Sequence, residues 1–273
     1  MGIVSAAIKG RVKPLILLIA LMIGAPVAYA QEPPRLELLS GEYKYRIAWN
    51  GIKIGRVNFY FEENDTTYRV IVDTKTSGIV RLFHPLQSIT TGNGRKVEGR
   101  YIPEFYHANS NSEEGKGRVA KLHFNEEGLL EKRDVTPPED PLWRPVVPPE
   151  ELVGAMDPVT VFFVIRQEIA RNLTYDIKTT SARVYDGRRL AEISVRAINA
   201  GTRLMDDAVV PMLNTIITRQ PMNGYTPKEM KKFEDGDPAV HLYFSRDKRF
   251  MPIAAEAYLR FGTISATLEN NPH

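Results

Sequence analysis

The chain has 273 residues, 43% of them hydrophobic, with no cysteine and 36 Lys+Arg against 33 Asp+Glu. Without cysteine there is no disulfide framework, no thiolate nucleophile, no thiolate-ligated metal and no lipid anchor on a cysteine after a cleavage site. The basic surplus sits wholly in the first thirty residues, as Lys9, Arg11 and Lys13; the rest carries 33 charges of each sign, which removes the electrostatic case for a nucleic-acid partner.

Those three cations precede an apolar run, LILLIALMI (Leu15 to Ile23), which Gly24 and Pro26 end. Ala28-Tyr29-Ala30 then places small residues at the two positions a signal peptidase reads. The pattern predicts a secretory signal over residues 1–30, cleaved after Ala30. The run is too short to span a membrane, which needs roughly 20 apolar residues. The mature chain is therefore expected to meet a membrane only through that signal. Residues 31–40 (QEPPRLELLS) read as a flexible tether, and residues 41–270 as a single β-rich domain.

From Gly41 the pattern is that of strands. In EYKYRIAW, Tyr43, Tyr45, Ile47 and Trp49 share one face and Lys44 and Arg46 the other. Asn50-Gly51 is a two-residue hairpin signal. In IKIGRVNFYF the apolar parity flips at Gly55, as at a β-bulge. TYRVIVDTKT continues the meander, and Gly78–Pro85 (GIVRLFHP) suggests a single helical turn. Further strands are expected at Gln87–Val97, Tyr101–Asn109 and Gly117–Phe124, with turns at Gly92-Asn93-Gly94 and Glu127-Gly128.

Residues 135–150 (VTPPEDPLWRPVVPPE) hold six prolines, which cannot donate to a ladder. The segment is an interdomain linker or a strap across one sheet end; the large ring of Trp143 favours the strap. A helix follows, with Asp157 as its cap and Pro158 at its first position. VTVFFVIRQEIA is apolar nearly all round, the mark of a buried helix, here the plug of a curled sheet. Strands resume near Tyr175, through YDGRRLAEISV and Asp207–Arg219. Thr226-Pro227-Lys228-Glu229 reads as a capping box opening a short helix through Phe233. AVHLYF alternates again, with a turn at Asp247-Lys248. YLRFGTISATL reads as a bent strand whose parity flips at Gly262. The expected architecture is mainly β: a strongly bent antiparallel sheet, half-barrel or open barrel, around one central helix.

GIKIGRVNFYF, VPPEELVGAMDPVTVFFVIR, VYDGRRL and HLYFSRDKRFMPIAAEAYLRFGTISATL, in this order and spacing, resemble the exported bacterial proteins grouped as domain of unknown function 3108. The resemblance runs from about Glu42 to Leu268. It implies a Gram-negative envelope protein, periplasmic and mostly antiparallel β, and it carries no catalytic residues over to this chain.

The residues themselves offer little chemistry. His84, His107, His123, His241 and His273 show no metal-ligand spacing, and neither a metal nor any other cofactor is expected. No G-x-S-x-G elbow occurs. The pairs Glu62-Glu63, Glu113-Glu114, Glu126-Glu127 and Asp206-Asp207 sit beside turn residues and read as solvated. Three functions stay open: a non-enzymatic binder of a lipid or an envelope protein, a hydrolase or transferase assembled across the sheet, and a scaffold docked through Trp143. Arg188 and Arg189 alternate, so only one can face inward. Paired to a carboxylate there it would be structural; unpaired beside a cavity it would hold a ligand headgroup.

Overall fold

A computed structural model describes residues 36–78, 86–112, 117–175, 179–205, 208–236 and 238–269. The signal segment with Ala28 and Ala30, residues 31–35, the helical turn expected after Gly78, and the pairs Glu113-Glu114 and Asp206-Asp207 lie outside the described residues.

Seven strands come first: β1 (Ser40–Trp49), β2 (Ile52–Glu63), β3 (Thr67–Thr76), β4 (Leu86–Val97), β5 (Arg100–Ser112), β6 (Arg118–Phe124) and β7 (Leu130–Thr136). A 3-10 turn (Pro149–Leu152) and helix α1 (Pro158–Tyr175) divide them from β8 (Thr179–Tyr185), β9 (Leu190–Met205), β10 (Ala208–Asn223), helix α2 (Pro227–Glu234), β11 (Val240–Ser245), β12 (Pro252–Leu259) and β13 (Gly262–Leu268). The 13 strands form one antiparallel sheet in the order β7-β6-β5-β4-β3-β2-β1-β13-β12-β11-β10-β9-β8. Every ladder but one joins consecutive strands; the exception pairs β1 with β13. Among the described residues β7 and β8 are not paired, so the sheet is mainly β and bent, but open.

Helix α1 fills much of the concave side. Val159 and Phe163 join the core of β1 to β6, where Phe163 meets Phe61, Tyr68 and Tyr101. Val161, Ile165 and Ile169, on another face, pack with Val195, Leu213 and Phe244 of β9, β10 and β11. Both walls of the bent sheet thus bury against one helix, which is why its sequence is apolar nearly all round. Residues beyond Ala170 extend it to Tyr175, where the sequence suggested that strands resume.

The expected bulge is present: Ile47 pairs with Gly55 and Ala48 with Lys53, leaving Ile54 extra. The Asn50-Gly51 turn takes left-handed φ angles of 46° and 83°. Two readings are corrected. Gly92-Asn93-Gly94 is no turn but lies within β4, because α1 comes so close there that a Cβ on Gly92 would stand 2.6 Å from that of Val159. The flip at Gly262 is not a bend in one strand; Leu259 pairs with Gly262 across a two-residue turn, making two strands.

The segment expected to be a flexible tether is docked from Leu36 onward. Leu39 is wholly buried, and Glu37 donates its N–H to the Lys248 carbonyl at 2.9 Å. The proline segment is anchored to the rest of the fold, but not through Trp143, which is 73% exposed. Buried Arg144 and Val147 do that work, and residues 135 and 136 belong to β7 rather than to the strap.

Candidate functional site

The inner face of the central strands is aromatic and aliphatic by simple alternation: Tyr43, Tyr45 and Ile47 on β1, Val57, Phe59 and Phe61 on β2, Val70 and Val72 on β3. The helix covers only part of it. Two cavities remain beside Phe162. One, of about 270 Å³, is lined by residues including Tyr45, Val57, Phe59, Leu242, Ala255 and Ala266. The other, of about 250 Å³, lies among Phe59, Val70, Val72, Tyr106 and Val159. Phe59, Phe61 and Phe162 line both, so the two adjoin at these rings, an apolar groove divided by aromatic side chains. Aromatic rings pack along it: Phe61 stands 5.7 Å from Phe162, and Tyr45 5.4 Å from Phe59. The Tyr45 hydroxyl donates to the Pro252 carbonyl at 2.6 Å, and burial pushes that phenol's pKa far up. The Tyr45 hydroxyl is thus satisfied, and the rest of the lining is mostly carbon, with the hydroxyl-bearing Thr90 and Tyr106 on the wall of the second cavity.

Toward the β1–β2 and β12–β13 turns the same face becomes half-exposed, at Ile47, Val57, Val72, Ala257 and Ile264. Directly opposed residues on antiparallel strands share a face. Trp49 opposes both Ile52 and Ile264, so both Trp49 and Ile52 continue the groove's surface to the rim.

Arg188 and Arg189 are elsewhere and do not face the groove. They lie in the four-residue loop between β8 and β9, whose Asp186 Oδ1 accepts both of their N–H groups. Alternation therefore does not govern them. The Arg188 side chain is buried and reaches across the open edge to Glu139, with its NH2 donating to the Thr136 carbonyl at 3.0 Å. Arg133 on β7 donates back to the Gly187 carbonyl at 2.5 Å. Arg189 is held by Asp186 at 2.7 Å and faces Glu229 at 3.7 Å. Arg144 completes the cluster with bonds to Glu139, Glu229 and the Gly224 carbonyl. Burial pushes Glu229 up, but the Arg144 bonds, the Thr226 N–H and Arg189 outweigh it and leave the carboxyl at about 2. Both arginines of the motif have carboxylate partners; Arg188, with Arg133 reaching back, clasps the seam between β7 and the β8–β9 loop, while Arg189 joins that loop to α2.

Trp143 stands on the same strap, beside Leu142 at 94% exposure. Trp143→Ala should change unfolding stability by less than about 0.5 kcal/mol in a urea titration, since its ring is mostly in water. A larger loss would make the ring part of the strap's anchorage.

Sequence reasoning missed the strongest charge site. Glu63, taken as solvated, is buried, while Glu62 beside it is exposed. Glu63 accepts from the Leu39 N–H (2.7 Å), the Tyr101 hydroxyl (2.7 Å) and Lys96 (2.9 Å), with the Arg166 guanidinium at 3.7 Å. Glu126-Glu127 is exposed as expected. Among the described histidines, His107 and His123 flank Phe105 on the outer face, and His241 meets Asn214 at 3.4 Å. Among the described residues no three His, Asp or Glu side chains are grouped to hold a metal, and no helix is long and apolar enough to cross a membrane.

A family profile described as protein of unknown function (DUF3108) matches residues 44–269. No curated protein matches the chain. Among solved structures, it is similar to a beta-barrel-like protein of domain of unknown function DUF1849 from Brucella abortus, at 9% identity and TM-score 0.51, covering 85% of this chain and 97% of that one. A proposed exported protein with a YmcC-like fold from Bacteroides fragilis matches at 11% identity and TM-score 0.33, covering 89% and 100%. The first likeness is one of fold.

Proposed function

Starting from a chain that belongs to the DUF3108 family, whose function is unknown, we propose an exported, non-enzymatic envelope protein that holds an elongated apolar molecule, such as the acyl chain of an envelope lipid, in the groove beside Phe162. The observation that carries this reading is the pair of apolar cavities sharing Phe59, Phe61 and Phe162. Together they reach the size of ordinary small-molecule pockets, which start at about 300 Å³. A chain of CH₂ groups gains about 0.8 kcal/mol per group buried, so a groove of this lining selects for length and greasiness rather than for a headgroup. The signal-like first thirty residues support export across the inner membrane, and the likeness to exported family members supports a periplasmic site in a Gram-negative cell.

Organic extracts of the protein purified from periplasm, analysed by mass spectrometry, should contain a bound lipid. Val57 and Val72 are half-exposed on the groove wall, so Val57→Glu with Val72→Glu should cut the co-purified lipid at least about ten-fold by placing charge against carbon, while the chain stays folded. An empty wild-type extract, together with no displacement of a fluorescent fatty acid, would refute the reading.

A second reading rests on the exposed Leu142 and Trp143 of the strap, which suit a protein partner. Recovery of a periplasmic protein by the wild type but not by Trp143→Ala would favour it.

A further inference from the structure

We propose that the rim formed by the β1–β2 and β12–β13 turns is a membrane-docking edge that sets the groove's open end on an anionic lipid bilayer. The rim carries Trp49 (45% exposed), Ile52 (66%), Leu259 (39%) and Phe261 (76%), an unusual concentration of large apolar side chains in water at two adjacent turns. The two turns are fixed to each other. Asn50 donates its N–H to the Thr263 carbonyl at 2.9 Å and takes the Thr263 N–H on Oδ1 at 2.8 Å. The four side chains therefore move as one rigid edge rather than as two independent loops.

Three arguments identify a bilayer as the occupant. The first is continuity. Trp49 and Ile52 share their face with Ile264 and, through it, with Ala257, so an acyl chain leaving the groove travels over apolar surface all the way to the edge. The second is charge. Arg260 lies between Leu259 and Phe261, its guanidinium 5.4 Å from the Phe261 ring, and among the described residues it has no carboxylate partner. Lys53 follows Ile52 and is held only loosely, 3.9 Å from Glu269. Apolar side chains that can enter the acyl region, next to cations that meet phosphate, are the composition of an interfacial anchor. The third is the indole itself, which favours the headgroup level of a bilayer.

This inference deepens the groove reading, since the docked edge is the mouth of that groove, but the two fail separately. The test uses the mature chain with Trp143→Phe, which leaves Trp49 as the sole tryptophan. Vesicles of phosphatidylethanolamine and phosphatidylglycerol should shift its emission to the blue, and brominated lipid should quench it. Ile52→Glu with Phe261→Glu should lower the fraction floating with vesicles at least about ten-fold. Arg260→Glu should lower it roughly five-fold or more, and less so at high salt. Because these side chains project into water, circular dichroism and the unfolding midpoint should not change. Unshifted Trp49 emission with anionic vesicles, or flotation untouched by the Glu variants, would overturn the proposal. So would a concentration-dependent dimer that the same variants abolish without any vesicle binding. Vesicle binding that persists in a chain whose extracts hold no lipid would sink the groove reading alone. Lipid in the extracts of a chain that ignores vesicles would sink the docking edge alone.

Discussion

Arg166→Met should destabilise the fold by about 3–5 kcal/mol, read as a fall in the urea midpoint at constant slope. Arg166 is 1% exposed and comes from the middle of α1. Its Nε donates to the Arg249 carbonyl at 2.8 Å, and its NH2 to the Glu37 carbonyl at 2.7 Å. One side chain thereby ties the helix to the entry of β1 and to the β11–β12 turn. Burial lowers its pKa, and the nearby Glu63 carboxylate opposes that. Methionine fills similar volume but leaves two part-buried carbonyls without this donor and removes one cation from the buried Glu63, which keeps Lys96, Tyr101 and the Leu39 N–H. Glu63→Ala should cost at least as much, because it strands two cations. The two losses should not add, since both remove the same contact. A loss below about 1 kcal/mol for Arg166→Met would mean that water replaces the guanidinium.

The second large effect concerns the cap of α1. Asp157 is wholly buried and accepts the N–H groups of Val159 (2.9 Å) and Thr160 (3.1 Å) on Oδ1. The Thr160 hydroxyl donates to Oδ2 at 2.5 Å and in turn meets the Tyr68 hydroxyl at 2.6 Å. Asp157→Ala removes the cap and leaves the buried hydroxyl chain one acceptor short, for a cost of about 2–4 kcal/mol. Burial outweighs the three hydrogen bonds and pushes this carboxyl up to about 6. The sign follows from proton counts. Between its ordinary value near 3.8 and about 6 the folded chain binds more protons at this site than the unfolded chain. The stability it contributes is therefore fully present below about pH 4 and is lost as pH rises through 6, by about 3 kcal/mol. Asp157→Asn keeps the cap's acceptor and cannot titrate. Its stability relative to wild type should rise between pH 4 and 6 and stay level above 7. A flat difference across that window would place Asp157 in its ionised form throughout.

What could be read from the sequence was whatever depends on near neighbours. The alternation of Tyr43, Tyr45 and Ile47, the extra residue before Gly55, and the Thr226–Glu229 capping box each depend on residues a few positions apart, and all are present. The buried helix was legible for a related reason: apolar residues on every side require walls on every side. What escaped depended on distant partners. Glu62 and Glu63 have the same local context. Only the arrival of Lys96, Tyr101 and Arg166 from other elements separates a solvated carboxylate from a buried one. Gly92 looks like a turn glycine until Val159 comes to rest on it. The Arg188 clasp depends on Glu139, whose strap the prolines announced without saying what it would grip. The groove was half legible, since the sequence suggested an apolar concave face but not how much of it α1 would leave uncovered.

The order of the sheet also bears on how the chain folds. Eleven of its twelve ladders join strands that follow each other, so each can zip from its own connection with little loop to close. The exception brings Tyr45 beside Leu268, nearly the whole chain apart, and it sits at the middle of the sheet. Two meanders, β1–β7 and β8–β13, can thus assemble independently, and the central ladder must wait for both. Until it forms, β1 and β13 are each an unprotected edge lined with the groove's apolar residues. The two strands that meet at the middle of the apolar groove are then the ones most exposed to mispairing during folding.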